Sequence, residues 1–278
     1  MTTGVLRLVA FNALQAVGSW RWLVVPPVFF VAGWLGAEDA SYDYTTQTLR
    51  HANFWDAPLT MMTDPSAIAF AFVLGFVLVN GDLYVRDRSS GAAAMTLLRS
   101  RSRAGWWVAK VCALGPLALL FSVLAFFSAL LAGAFRLPLS LQWSPASRIP
   151  WGNEGAIHPG FGTLPAPLFL LLVVLYTAVV LWAIGAVVVV VSTLYPHLIT
   201  PLAAGLAWAF AGTPLVAPLV FRRGVGTLDP EYQLTYVIHF GNYRGVSATP
   251  WSVSFVVIAA TLALVLAIGA WQLRRVDL

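Results

Sequence analysis

The chain has 278 residues, of which 59% are hydrophobic and 10% charged, with a mean hydropathy of +0.81 and a formal net charge of +5. Globular domains carry about 25% charged residues, so this composition excludes an ordinary soluble domain and marks an all-α polytopic membrane protein. The basic residues gather at the ends of apolar runs instead of forming a basic face, which is a topology signal and excludes nucleic acid as a partner.

The length suits one transmembrane domain, residues 1–278. No cleavable signal peptide is evident, and the first apolar run is read as a retained span. Thr2 to Ser19 is apolar and weakly sided, and predicts an interfacial helix leading into that span. A membrane-crossing helix needs about 20 mostly apolar residues, and six runs qualify: 20–37, 66–81, 105–135, 164–193, 196–212 and 250–273. Pro26 and Pro27 interrupt the first. The fifth run and its extension contain Pro196, Pro201, Pro214 and Pro218, which argues for a span ending near Gly212 followed by a re-entrant segment between spans five and six.

With the N-terminus inside, the cytoplasmic side holds Arg7, Arg21, Arg86, Arg88, Arg99, Arg101, Arg103, Lys110, Arg274 and Arg275, against Arg50, Arg136, Arg148, Arg222, Arg223 and Arg244 outside. That asymmetry places both termini in the cytoplasm by the positive-inside rule. The three outer loops are long and rich in aromatic residues, and the Ser192 to His197 turn is short. Phe126, Phe127, Tyr176 and Trp208 are candidates to line a path, but are read first as packing residues.

Catalytic signatures are missing. A phosphate-binding Walker loop requires a lysine after glycine, and the single lysine, Lys110, follows Ala109. There is no H-E-x-x-H, no G-x-S-x-G and no carboxylate pair within an apolar run. The single cysteine, Cys112, forms no internal disulfide, and His51, His158, His197 and His239 share no metal-ligand spacing. The chain is therefore not read as an enzyme, and no metal or cofactor is assigned to it.

Charge concentrates in the loop 82–104. Between Asp82 and Lys110 lie Asp87, five arginines and a helix-favouring stretch, Ala92 to Leu98, behind Gly91. Arginines that anchor the loop need only their charge; the acids, the glycine and the helix suit docking to a soluble protein. Trp106, Trp107 and Lys110 are read as interface anchors, with the lysine long enough to snorkel.

This stretch resembles the first cytoplasmic loop of type-2 ABC exporter permeases: Asp87, Arg88 and Gly91, then Leu97 and Leu98, then Ser102 and Arg103, Trp107 and Lys110. The ending Trp271 to Leu278 is similar to the basic tail of that family, and the six-span layout agrees. The family's proline before the Ser-Arg pair is absent, and Arg99 to Arg101 is a residue shorter. The resemblance implies a cytoplasmic coupling helix between spans two and three. It also implies a second permease copy or homologue, and cytoplasmic ABC ATPase subunits that bind ATP and Mg. Asp87, Arg88, Gly91, Leu97, Leu98, Arg101 and Arg103 would then form the ATPase contact, in a bacterial plasma membrane. A non-transporting scaffold or immunity subunit and an ion-coupled secondary carrier remain as alternatives.

Overall fold

The computed structural model describes residues 2–43, 48–49, 51–89, 91, 102–145, 164–197, 199–211, 230–239 and 249–275. The described residues are helical but for connecting segments and a two-residue antiparallel pairing of Tyr42–Asp43 with Thr48–Leu49. Among them, five helices are long and apolar enough to cross a membrane: Trp20–Ser41, Ala67–Ser89, Arg103–Arg136, Ala166–Leu194 and Trp251–Leu273. We call these span A to span E in that order.

Helix α1, Thr2–Val17, packs along span C and turns its apolar Leu6, Leu14 and Val17 outward. A 3-10 turn, Trp20–Val24, capped by Ser19, leads into α2, Val25–Ser41. Pro26 and Pro27, expected to interrupt the first span, sit in the first turn of α2. There the missing amide hydrogens would have had no helical partner, so the prolines start the helix instead of breaking it.

Span B differs more from expectation. Apolarity ends near Gly81, yet helix continues to Ser89. Its first part, Ala67–Leu74, is π-helical, with the Gly75 amide donating to the Phe70 carbonyl, and it passes into regular helix over Gly75–Asn80. A turn at Gly81 joins it to Leu83–Ser89, the Arg86 amide donating to the Asp82 carbonyl. The charged extension stays helical because both its acids are neutralised: Asp82 by Arg21 and Asp87 by Lys110.

The fifth expected span is the helix Ile199–Ala211, 13 residues long. At about 1.5 Å per residue its described residues reach roughly 20 Å of a hydrocarbon core roughly 30 Å thick. The expected re-entrant segment after Gly212 and the coupling helix over Ala92 to Leu98 lie outside the described residues, as does the turn Arg99 to Arg101.

Spans B, C and D enclose the core, where Phe76 meets Phe121 edge-on and Phe72 meets Phe126. Small residues allow the helices to close. Gly33 of α2 lies against the Ala129 backbone of span C, and Gly185 of span D receives the Phe76 ring. Gly269 of span E lies under the Trp107 ring, where a Cβ would collide with the indole. Phe127 points outward, whereas Phe126 is buried.

Replacing Gly269 by valine should therefore destabilise the bundle by about 1–3 kcal/mol through overpacking. Gly4, which has open space around it, should tolerate alanine. Thermal unfolding of the purified proteins in detergent measures both; equal midpoints would show that span E does not pack on span C as described.

Candidate functional site

The last turn of span B alternates its faces. Leu83, Tyr84, Val85 and Asp87 point inward, while Arg88 and Ser89 are exposed. Asp87 is 0% exposed and pairs with Lys110 of span C, also 0% exposed. Lys110 Nζ also donates to the Leu83 carbonyl at 3.4 Å and stands 5.6 Å from the centre of the Trp106 ring. One ammonium thus meets a carboxylate, a carbonyl and an aromatic face, which offsets the cost of removing it from water.

The start of span C is fixed with equal care. Ser102 caps it by accepting from the Gly105 amide at 3.0 Å. Trp106 packs edge-on against Tyr84, and Trp107 covers Gly269. Arg103 donates to the Leu273 carbonyl at 3.1 Å, at the C-terminal end of span E, where helix carbonyls attract a cation. Thr193 at the end of span D donates to Gln272 of span E at 2.6 Å. Four spans are tied together at this level by polar contacts.

These positions correct the reading of Trp106, Trp107 and Lys110 as interface anchors. All three are enclosed by protein. Lys110 has no need to reach the headgroups, because Asp87 neutralises it inside the fold. Among the expected docking residues, Arg88 at the end of span B, Gly91 just beyond it and Arg103 at the start of span C are exposed, and Gly91 has a left-handed backbone, φ +72°. Asp87 is enclosed and acts by holding span B to span C. Leu97, Leu98 and Arg101 lie outside the described residues.

Two arrangements escaped the sequence reading. Arg21 donates to Asp82 at 2.9 Å and to the Leu78 carbonyl at 3.1 Å, joining span A to span B. An acid and an arginine that both fall at ends of apolar runs are the signal, but a separation of 61 residues hides the pairing.

The second lies at the opposite end of the bundle. His239 Nδ1 donates to the Thr249 carbonyl at 2.7 Å, since a carbonyl only accepts. Nε2 is then the acceptor for the Tyr176 hydroxyl at 3.1 Å, with Ser254 Oγ 3.4 Å away. Ser254 donates to Gln233, and the Trp251 ring stacks on the imidazole at 3.8 Å between centroids. Burial pushes the His239 pKa down, against the Thr249 hydrogen bond, which raises it. Beside this cluster, Asn53 and Trp55 donate to the carbonyls of Gln142 and Ser140. Asp56 accepts from the Asn53 amide at 2.7 Å, and burial raises its carboxyl pKa. Among the described residues no three His, Cys, Asp or Glu side chains converge in a way that would hold a metal ion.

A family model described as a protein of unknown function, DUF2705, matches residues 40–278, and the chain belongs to that family. No curated protein matches it.

Breaking the buried pair from one side should be costly. Asp87→Asn or Lys110→Met leaves its partner charged and enclosed, with an expected loss of about 3–5 kcal/mol. The double substitution Asp87→Leu with Lys110→Met should recover most of that loss in thermal unfolding, whereas additive losses would show that the two side chains do not act as a pair.

His239 sets a pH dependence. Its folded pKa lies below its ordinary 6.5, so the unfolded chain takes up the proton first. The contribution of this cluster to stability is complete above pH 6.5 and is lost as pH falls below it. Unfolding midpoints of wild type and His239→Gln should therefore converge or cross below pH 6.5; curves that stay parallel from pH 8 to 5 would contradict the assignment.

Proposed function

We propose that this protein is the transmembrane subunit of an ATP-driven exporter of the type-2 ABC permease kind. It is driven by separate cytoplasmic ATPase subunits and forms the translocation path with a second permease copy or homologue. In this reading the chain crosses a bacterial plasma membrane six times with both termini in the cytoplasm, the helix Ile199–Ala211 beginning the fifth crossing. The loop between spans B and C carries a coupling helix, and a re-entrant segment follows the fifth crossing. The chain holds no cofactor of its own; ATP and Mg belong to its partner.

One observation carries the proposal. The Asp87–Lys110 pair ties the last turn of span B to the start of span C, while Arg88 at the end of span B, Gly91 and Arg103 at the start of span C are exposed beside it. A force applied to the connection between spans B and C is passed to both helices together, because neither can shift without opening a buried ion pair. Arginines on such a surface suit charge-assisted hydrogen bonds to a partner's carboxylates. The missing Walker lysine supports the same reading: a chain without an ATP-binding loop obtains its energy elsewhere. Arginine enrichment at this end supports its cytoplasmic placement.

The test is co-expression with a cytoplasmic ABC-type P-loop ATPase from the same genome. Wild type should retain the ATPase through purification and stimulate its hydrolysis in proteoliposomes. Arg88→Glu with Arg103→Glu should release it, and Arg136→Glu at the opposite end should not. Retention of the ATPase by the double reversal would refute the docking assignment. Substrate movement by the purified chain alone under a sodium or proton gradient would establish an ion-coupled carrier in its place.

A further inference from the structure

A furrow of about 490 Å³ opens on the side of the bundle between span A, span B and the helix Ile199–Ala211. Its walls are apolar, including Val24, Val28, Phe29, Phe70, Phe121 and Leu202. A second hollow of about 350 Å³ continues it along span A, the two sharing Val28, Phe70 and Ala71. The π-helical winding of span B lies along this wall. It presents a half-exposed Phe70, whose ring meets Phe210 edge-on at 5.8 Å.

Two of its three walls, spans A and B, are helices of membrane-crossing length, and outward residues of span A, Val24, Val28 and Val31, are exposed and apolar. In a bilayer such a surface faces hydrocarbon. A vacant apolar furrow forfeits the dispersion contacts of its lining, and in a bilayer an acyl chain supplies them. Its volume falls within the range of roughly 300–1,000 Å³ usual for ligand sites.

Its polar end points to the head of the occupant. Along span A the larger hollow runs from Trp20 to Phe29, about 15 Å at helical rise and so close to half the hydrocarbon core. At the Trp20 end stand Arg21 and Asp82, with side chains 40% and 12% exposed. Arg21 uses Nη1 for both Asp82 and the Leu78 carbonyl, and its remaining guanidinium N–H groups have no partner among the described residues. The exposed Trp20 stands beside them, as an indole does at headgroup depth. An arginine beside an aspartate matches a head that carries a phosphate beside an ammonium.

We propose that this furrow is a site for one phospholipid with a zwitterionic, primary-amine head, of the phosphatidylethanolamine type. One acyl chain lies along Val28 and Phe70, the phosphate accepts from Arg21, and the ammonium donates to Asp82. The site belongs to the leaflet at the Arg21–Asp82 end. It stands apart from the export reading, since it needs neither an ATPase nor transport.

Native mass spectrometry of the full chain tests it, with the protein released from nanodiscs containing equal phosphatidylethanolamine, phosphatidylcholine and phosphatidylglycerol. Wild type should retain one phosphatidylethanolamine at least five-fold over either competitor. Asp82→Asn should abolish the preference over phosphatidylcholine, because the amine loses its acceptor. Arg21→Gln should lower retention of all three. Ala71→Phe fills the furrow and leaves the ion pair intact, so it should reduce retention about ten-fold at an unchanged unfolding midpoint. Equal retention of the three lipids by wild type, or a preference for phosphatidylglycerol, would overturn the head assignment. Unchanged retention in a folded Ala71→Phe protein would overturn the furrow as the site, as would a lipid-free dimer whose interface includes Val28 and Phe70.

Discussion

A buried ion pair fixes one end of this molecule, and most of what surrounds it follows from that. Moving a carboxylate and an ammonium out of water costs several kcal/mol for each ion, and the cost is recovered only with close geometry and further polar contacts. Asp87 and Lys110 meet those terms through the Leu83 carbonyl and the Trp106 ring. Their pairing sets the register of span B against span C at the level where apolarity gives out. It keeps Leu83–Ser89 helical, points Arg88 outward, and leaves a short connection whose ends cannot move independently. The same level is closed by Arg103 on the Leu273 carbonyl and by Thr193 on Gln272.

The two ends of the bundle are built differently. The Asp87 end uses charge, and its ion pairs join spans A, B and C. The opposite end relies mainly on aromatic rings and hydrogen bonds, His239 between Tyr176, Trp251 and the Thr249 carbonyl, and Asn53, Trp55 and Trp143 donating to loop carbonyls, with one ion pair at its surface, Arg136 to Glu38 at 3.2 Å. Between them the core is held by ring edges and by glycines that let the helices close. An end with a buried ion pair and outward arginines suits attachment to a soluble partner, whereas the ring-packed end closes the bundle over its loops.

Much of the architecture was legible because membrane-crossing length and apolarity are strong signals. Spans C, D and E fall within one to two residues of the expected runs. Span A begins at the expected Trp20 but runs four residues past the expected end at Ala37, to Ser41, and its prolines start the helix, since a proline in a first turn and a proline in a helix interior look alike until the start is known. Span B was cut short at Gly81, because a run that gathers charge reads as a loop when its partners are distant in sequence. Arg21 and Lys110 supply those partners. The buried placement of Trp106, Trp107 and Lys110 was not legible for the same reason: an aromatic pair and a lysine near a helix start have the composition of an interface belt. Only Asp87 on one side and Gly269 on the other reveal that protein covers them. The furrow beneath Phe70 left no trace in the sequence, as π-helical winding has no strong residue signature.

The most direct measurement is site-specific photocrosslinking in membranes that contain both this chain and a co-expressed ABC-type P-loop ATPase from the same genome. A photoreactive residue at exposed Ser89 lies at the end of span B, next to the turn held by Asp87 and Lys110; one at exposed Leu139 lies at the opposite end. The account predicts an ATPase adduct from Ser89, changed in yield by a non-hydrolysable ATP analogue, and none from Leu139. An adduct from Leu139 alone, or none from either site while the ATPase is present and folded, would contradict it.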